Sequence, residues 1–213
     1  MKKKSPITLP EYERIFRVLH SVSRGFDDRP GASCLFYNTI GALLLEKALK
    51  VRARPVMGAA FFRVDDPTAT VLSFAAISDD GSCSSSEDAF HCWVETESHI
   101  IDFTAPTYRE YLEKIGKSQQ LPRKMFQRKK SDMAESHHHL RREGDYFVQP
   151  NVELTLRSLE KSLQSHAVGD FANICLQWFA RPPKSIRESL SIMNDLHEVV
   201  QVRLTPLSVT GAW

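Results

Sequence analysis

Three residues of this chain have the types and the order that thiol chemistry requires. Cys34 stands where a turn-forming stretch, Asp27-Asp28-Arg29-Pro30-Gly31, gives way to an apolar run. His91 lies in Phe90-His91-Cys92-Trp93-Val94-Glu95, and Asp102 lies in Ile100-Ile101-Asp102-Phe103-Thr104. A cysteine attacks a carbonyl as its thiolate, so a base must take its proton, and a third group must hold that base in one tautomer. Cysteine, histidine and aspartate can fill those three roles.

Each residue needs an element to position it. From Cys34 to Leu49 the chain is apolar nearly all round (Leu35, Phe36, Ile40, Ala42, Leu43, Leu44, Leu45, Ala48), which predicts a helix buried on several sides. Ser33 can cap it, so Cys34 falls in the first turn, where free N–H groups and the helix dipole favour a thiolate. Phe90–Thr96 and His99–Phe103 read as a β-hairpin turning near Glu97-Ser98. With an even-length loop, facing partners have position numbers with an odd sum. His91 and Asp102 then share a face, directly opposite or one diagonal apart. A three-residue loop would turn Asp102 to the other face. Cys92 points away from His91, into the core.

Thr8-Leu9-Pro10-Glu11 predicts a capping box opening a helix through Tyr12, Ile15, Phe16, Leu19 and Val22, ending near Ser23-Arg24-Gly25. Strands are expected over Pro55–Val64 and Thr70–Ser78, around a turn at Asp65-Asp66-Pro67-Thr68, with a polar loop over Asp79–Asp88. Thr107–Ile115 reads as a short helix and Tyr146-Phe147-Val148 as a short strand. Between them, Lys117–Arg142 is strongly basic and reads as a long surface loop. Three C-terminal helices are expected. Asn151 caps the first, through Val152, Leu156, Leu159 and Leu163. Asp170 caps the second, through Phe171, Ile174, Cys175, Trp178 and Phe179, and Arg181-Pro182-Pro183 stops it. A box at Ser185–Glu188 opens the third, through Ile186, Leu190, Met193 and Leu196. Val199–Leu204 alternates and is expected to close the sheet as an edge strand. The fold class is α+β: a central buried helix on an antiparallel sheet, with a helical C-terminal extension. The chain reads as one domain, 1–213, with a core at about 8–115, the basic loop at about 117–142 and C-terminal helices at about 151–198.

With 213 residues, 42% hydrophobic and 25% charged, and a formal net charge of +2, nothing demands a polyanionic partner. The basic run lacks interleaved aromatics beyond Phe126 and matches no nucleic-acid motif, so it reads as a solvated face. The four cysteines (Cys34, Cys83, Cys92, Cys175) form no CxxC pair, which points to free thiols in a reducing compartment. Cys83 reads as loop and Cys175 as core. His137-His138-His139 are consecutive and lack a completing ligand cluster, so neither a metal nor a cofactor is expected. No apolar h-region follows Met1-Lys2-Lys3-Lys4, and no run approaches a membrane span of ~18 residues, so the expected location is cytoplasmic.

Cys34 before Leu35-Phe36-Tyr37-Asn38, the His91-Cys92-Trp93-Val94-Glu95 strand and Asp102-Phe103-Thr104 together resemble the transglutaminase-like superfamily. This papain-related group includes transglutaminases, arylamine N-acetyltransferases and bacterial peptidase relatives. The histidine segment looks like its "His-x-Trp-Val-Glu" strand and the aspartate segment like its "Asp-x-Thr". The resemblance covers Pro30 to Pro106 and leaves the C-terminal helices unexplained. The chain as a whole looks like one of the small bacterial families assigned to that superfamily. The resemblance implies a papain-like core and a hydrolase, peptidase or acyltransferase acting on an amide, ester or thioester through a Cys34–His91–Asp102 triad. Its substrate would be a peptide, a protein or a small acyl compound. Members often carry Gln before the nucleophile or Trp beside it as an oxyanion donor, and Arg29-Pro30-Gly31-Ala32-Ser33 contains neither. Asn38, one turn after Cys34, is the candidate second donor, and Trp93 is expected in the core or in a pocket wall. The alternative is a catalytically inactive binding or structural module of the same ancestry.

Overall fold

The computed structural model describes residues 5–26, 33–117, 120–164, 166–180, 186–193 and 197–213. The basic tail at 1–4, the loop at 27–31, the stop at 181–183, Ser185 and Leu196 lie outside the described residues, as does the side chain of Ser33.

Helix α1 (Leu9–Phe26) opens on the expected capping box. The Thr8 N–H donates to Glu11 Oε2 at 2.7 Å and the Glu11 N–H to Thr8 Oγ1 at 3.4 Å. Its 3.6-residue repeat buries Tyr12, Ile15, Phe16, Leu19 and Val22. Helix α2 (Ser33–Ala48) carries no single apolar stripe because it is covered on several sides. It packs against α1 and, as the following elements are added, against β1 (Ala53–Asp65), β5 (His91–Thr96) and α5 (His166–Ala180).

Between β1 and β5 lie β2 (Thr70–Phe74) and the two-residue strands β3 (Ala76–Ile77) and β4 (Cys83–Ser84), which pair only with each other. After β5 come β6 (His99–Asp102), α3 (Tyr108–Lys114), β7 (Phe126–Lys129), β8 (Tyr146–Pro150), α4 (Val152–Leu163), α5, β9 (Ser189–Met193) and β10 (Val199–Arg203). The main sheet is antiparallel, in the order β2-β1-β5-β6-β7, with β8 also on β1. β5 and β8 share one edge of β1 and hand over at Gly58, which pairs with both His91 and Pro150. A Cβ there would come within 2.0 Å of the Gln149 carbonyl oxygen, so only glycine lets the strands meet so closely. His91 thus sits where β5 gives out.

The sheet is covered on both faces. On one lies a core of α1, α2, α5 and the β9–β10 hairpin, including Val94, Ile101 and Phe103. On the other, Val56, Phe62, Trp93, Ile100, Phe126 and Tyr146 pack with α3 and the C-terminal Trp213. Helix α4 lies on β1, its start capped by Asn151 Oδ1, which accepts the Leu154 N–H at 3.0 Å.

Four expectations are corrected. The third C-terminal helix is replaced, over the described residues, by the strand Ser189–Met193. Its exposure alternates, with Leu190 and Ile192 turned inward and Met193 exposed, so the helical spacing read from 186, 190 and 193 does not hold. Its partner β10 does not join the main sheet but pairs with β9 alone. The basic segment is not simply loop, because β7 runs through it with Phe126 buried and paired to Asp102. Asp170 lies inside α5, not at its start.

Candidate functional site

Cys34 is the second residue of α2 and is partly exposed. The two-residue turn at 97–98 sets the register Val94↔Ile101 and Glu95↔Ile100. That register carries Asp102 to the level of Trp93, one diagonal from His91 on the same face. The His91 ring is buried, with Phe74 stacked on it at 4.5 Å and Phe62 edge-on at 5.5 Å. Nε2 of His91 lies 2.8 Å from Oδ2 of Asp102. Cys34 stands beside the ring and helps to raise its pKa. With Nε2 turned to the carboxylate, Nδ1 is the nitrogen that remains for the sulfur.

A fully buried carboxylate needs donors for both oxygens. Oδ1 of Asp102 accepts the Asn38 amide at 2.9 Å, the Thr104 N–H at 2.8 Å and the Thr104 hydroxyl. Oδ2 accepts His91 and, at 2.5 Å, the hydroxyl of Tyr108. The backbone carbonyl of Asp102 accepts the Tyr12 hydroxyl. Burial would raise the Asp102 pKa, but the His91 charge and the hydrogen bonds from His91, Thr104 and Tyr108 outweigh it and hold the carboxyl at about 2. Burial would likewise lower His91, but Asp102 and then Cys34 outweigh it and raise the imidazole to about 10. At neutral pH the pair is therefore imidazolium and carboxylate. Burial, then Asp102, keep both Tyr12 and Tyr108 protonated as donors.

Cys34, His91 and Asp102 are thus brought together. Asn38 is placed otherwise than expected. It is fully buried, and its amide nitrogen donates to the Cys92 carbonyl at 2.7 Å as well as to Asp102, with the Cys34 carbonyl at 3.2 Å. An amide has two N–H donors, and both are occupied, so neither is available to an oxyanion. Its Oδ1 accepts the Phe103 N–H at 2.9 Å, so Asn38 ties α2 to the hairpin. Trp93 is core and lines no opening. Cys92 lies under Cys34 with Met57 and Leu154, and partly buried Leu35, Phe90 and Leu159 surround the thiol. Burial pushes the Cys92 thiol well up, and Cys34 and Asp102 push it further.

Thr104, Tyr108 and Tyr12 were not singled out by the sequence. Thr104 had a local signal, since a threonine two residues after an aspartate can cap its carboxylate. The two tyrosines had none, because they arrive from α1 and α3.

The cations of the basic segment have internal partners. Arg123 pairs with Glu110, Lys124 with Glu143, and Lys130 with Glu95 at 2.9 Å. His137 stacks on Phe61 at 4.6 Å, and no cluster of three or more metal-ligating side chains occurs among the described residues. No helix among them is long and apolar enough to cross a membrane.

Fold and site define an α+β protein with a curled antiparallel sheet and a cluster of a partly exposed cysteine with a buried histidine and aspartate where a central helix meets a hairpin. The chain belongs to the family described as protein of unknown function (DUF2026), which it matches over residues 8–213. It is similar to the solved crystal structure of genomics APC5867, with 33% sequence identity over 99% of this chain and 98% of that one, at a TM-score of 0.86. No curated protein matches the chain.

Proposed function

We propose that the chain is a cysteine-nucleophile acyl-transfer protein with a papain-like, transglutaminase-like core, acting on an amide, ester or thioester. The observation that carries the proposal is His91, held at 2.8 Å by Asp102 on one nitrogen, with Cys34 beside the ring. The Cys34 sulfur attacks the carbonyl carbon while its proton already rests on the His91 imidazolium. Asp102 keeps the imidazolium in place and stays ionised. The Cys34 backbone N–H, in the first turn of α2, is the donor to the developing oxyanion in this reading. As the intermediate collapses, His91 returns the proton to the leaving group and a thioester remains on Cys34. Water then gives a hydrolase, and an amine gives a transferase.

Iodoacetamide labelling with peptide mapping tests this. Cys34 is expected to react about tenfold faster than a model thiol at pH 6, because the imidazolium stabilises its thiolate. His91→Ala should remove that advantage. A wild-type rate no greater than that of the model thiol overturns the proposal.

A second reading, a non-catalytic module of the same ancestry, is favoured by Asn38, whose donors are spent elsewhere. Loss of one oxyanion donor costs about 10²–10³ in rate. Fast alkylation of Cys34 without any acyl-enzyme on incubation with activated esters, followed by mass spectrometry, would select that reading.

A further inference from the structure

We infer that Tyr108, on α3, is a positioning residue of this site: its hydroxyl anchors Asp102 Oδ2 so that the carboxylate stays turned to His91. The inference rests on the reading of Cys34 and His91 as an acyl-transfer pair and adds the element that sets their geometry. The two oxygens of Asp102 are served differently. Oδ1 is held by Asn38 and Thr104, from α2 and the end of the hairpin. Oδ2 is shared by His91 at 2.8 Å and Tyr108 at 2.5 Å. Without Tyr108, the oxygen that faces the imidazole keeps, among the described residues, no anchor besides the imidazole itself.

The same tyrosine reaches the other side of the ring. Its own ring packs against Phe62 at 5.6 Å and Phe74 at 6.3 Å, the two side chains that flank His91. Tyr108 is 2% exposed, so its hydroxyl has no access to bulk water and the carboxylate is its acceptor. A donor to the carboxylate limits rotation of the carboxyl group and keeps Oδ2 turned to the ring, which orients the imidazole towards Cys34. The other titratable groups facing the pair are Cys34 from α2, Tyr12 from α1 and Cys92 from β5. The phenols and Cys92 stay neutral while the pair titrates.

The test is Tyr108→Phe, which keeps the ring and removes the donor. His91 is followed by NMR of histidine-labelled protein across pH, its resonance assigned with His91→Gln. Its titration midpoint is expected to fall by about one pH unit, as the unanchored carboxylate turns from the ring and their charge-assisted hydrogen bond weakens. Tyr146→Phe is the control. It deletes an equally buried hydroxyl that donates to the Lys129 carbonyl at 2.7 Å, and it should cost stability while leaving the His91 midpoint unmoved. An unchanged midpoint in folded Tyr108→Phe, or an equal shift in both variants, overturns the inference. If Tyr108→Phe fails to fold, the wild-type chain decides. Its Tyr108 hydroxyl proton should exchange slowly and show contacts to the His91 ring, and a fast-exchanging hydroxyl overturns the inference. Because the readout is the charge of His91, its failure is distinct from a failure of Cys34 to alkylate rapidly.

Discussion

Asp102 and His91 meet on the diagonal of a tight hairpin, Oδ2 to Nε2 at 2.8 Å, with Asp102 at the level of Trp93. A one-residue slip would put the carboxylate on the α2 side of the sheet and leave the imidazole without a partner. The two-residue turn at 97–98 therefore sets the charge of the site as well as its shape.

The first prediction concerns pH. The folded Asp102 pKa is depressed to about 2, so its contribution to stability is present above the ordinary value near 3.8 and is lost as pH falls towards 2. The folded His91 pKa is raised to about 10, so its contribution is full below 6.5 and is lost as pH rises from there towards 10. Urea unfolding should show maximal stability between about pH 4 and 6.5. The alkaline decline should be shallower in His91→Gln.

Removing the carboxylate should be costly in a particular way. Asp102→Ala leaves the donors of His91, Asn38, Thr104 and Tyr108 without their acceptor in a dry interior. The expected loss is about 3–5 kcal/mol by equilibrium unfolding. Asp102→Asn keeps the shape and should cost less, yet slow Cys34 alkylation at pH 6 because the imidazolium loses its counter-charge.

Asn38→Ala should destabilise by about 2–3 kcal/mol, since it strands the buried Phe103 N–H and takes one donor away from the Asp102 carboxylate. Chemical denaturation checks it. A drop below about 0.5 kcal/mol would mean that water refills the gap.

Gly41→Ala tests how closely α2 lies on the hairpin. A Cβ would stand 2.3 Å from the Phe103 ring, which stacks on Tyr12 at 5.0 Å and cannot swing away freely. A loss of about 1–3 kcal/mol is expected on thermal or urea unfolding.

The four thiols should separate by reactivity. Cys34 and Cys83 are partly exposed, while Cys92 and Cys175 are buried. Burial also pushes the Cys175 thiol up to about 12. A disulfide reagent should titrate two thiols in the native protein and four after unfolding, with Cys34 the faster of the first two.

What the sequence determined by itself was local. A helix cap at Thr8 and Glu11, a buried helix opening near Cys34 and a hairpin whose parity puts His91 and Asp102 on one face all follow from patterns a few residues long. Local pattern failed where a short apolar run can be read with either period, as over Leu190 to Met193, and where a strand is held by its neighbours, as at β7. The tertiary structure alone decided what surrounds the carboxylate. Tyr108 reaches it from α3, Tyr12 reaches the backbone carbonyl of Asp102 from α1, and Asn38 turns from the expected oxyanion role to bind Asp102 and Cys92. The physical reason is that burying a charge requires donors for every lone pair, and those donors come from wherever the packed chain brings them, at separations no sequence period encodes.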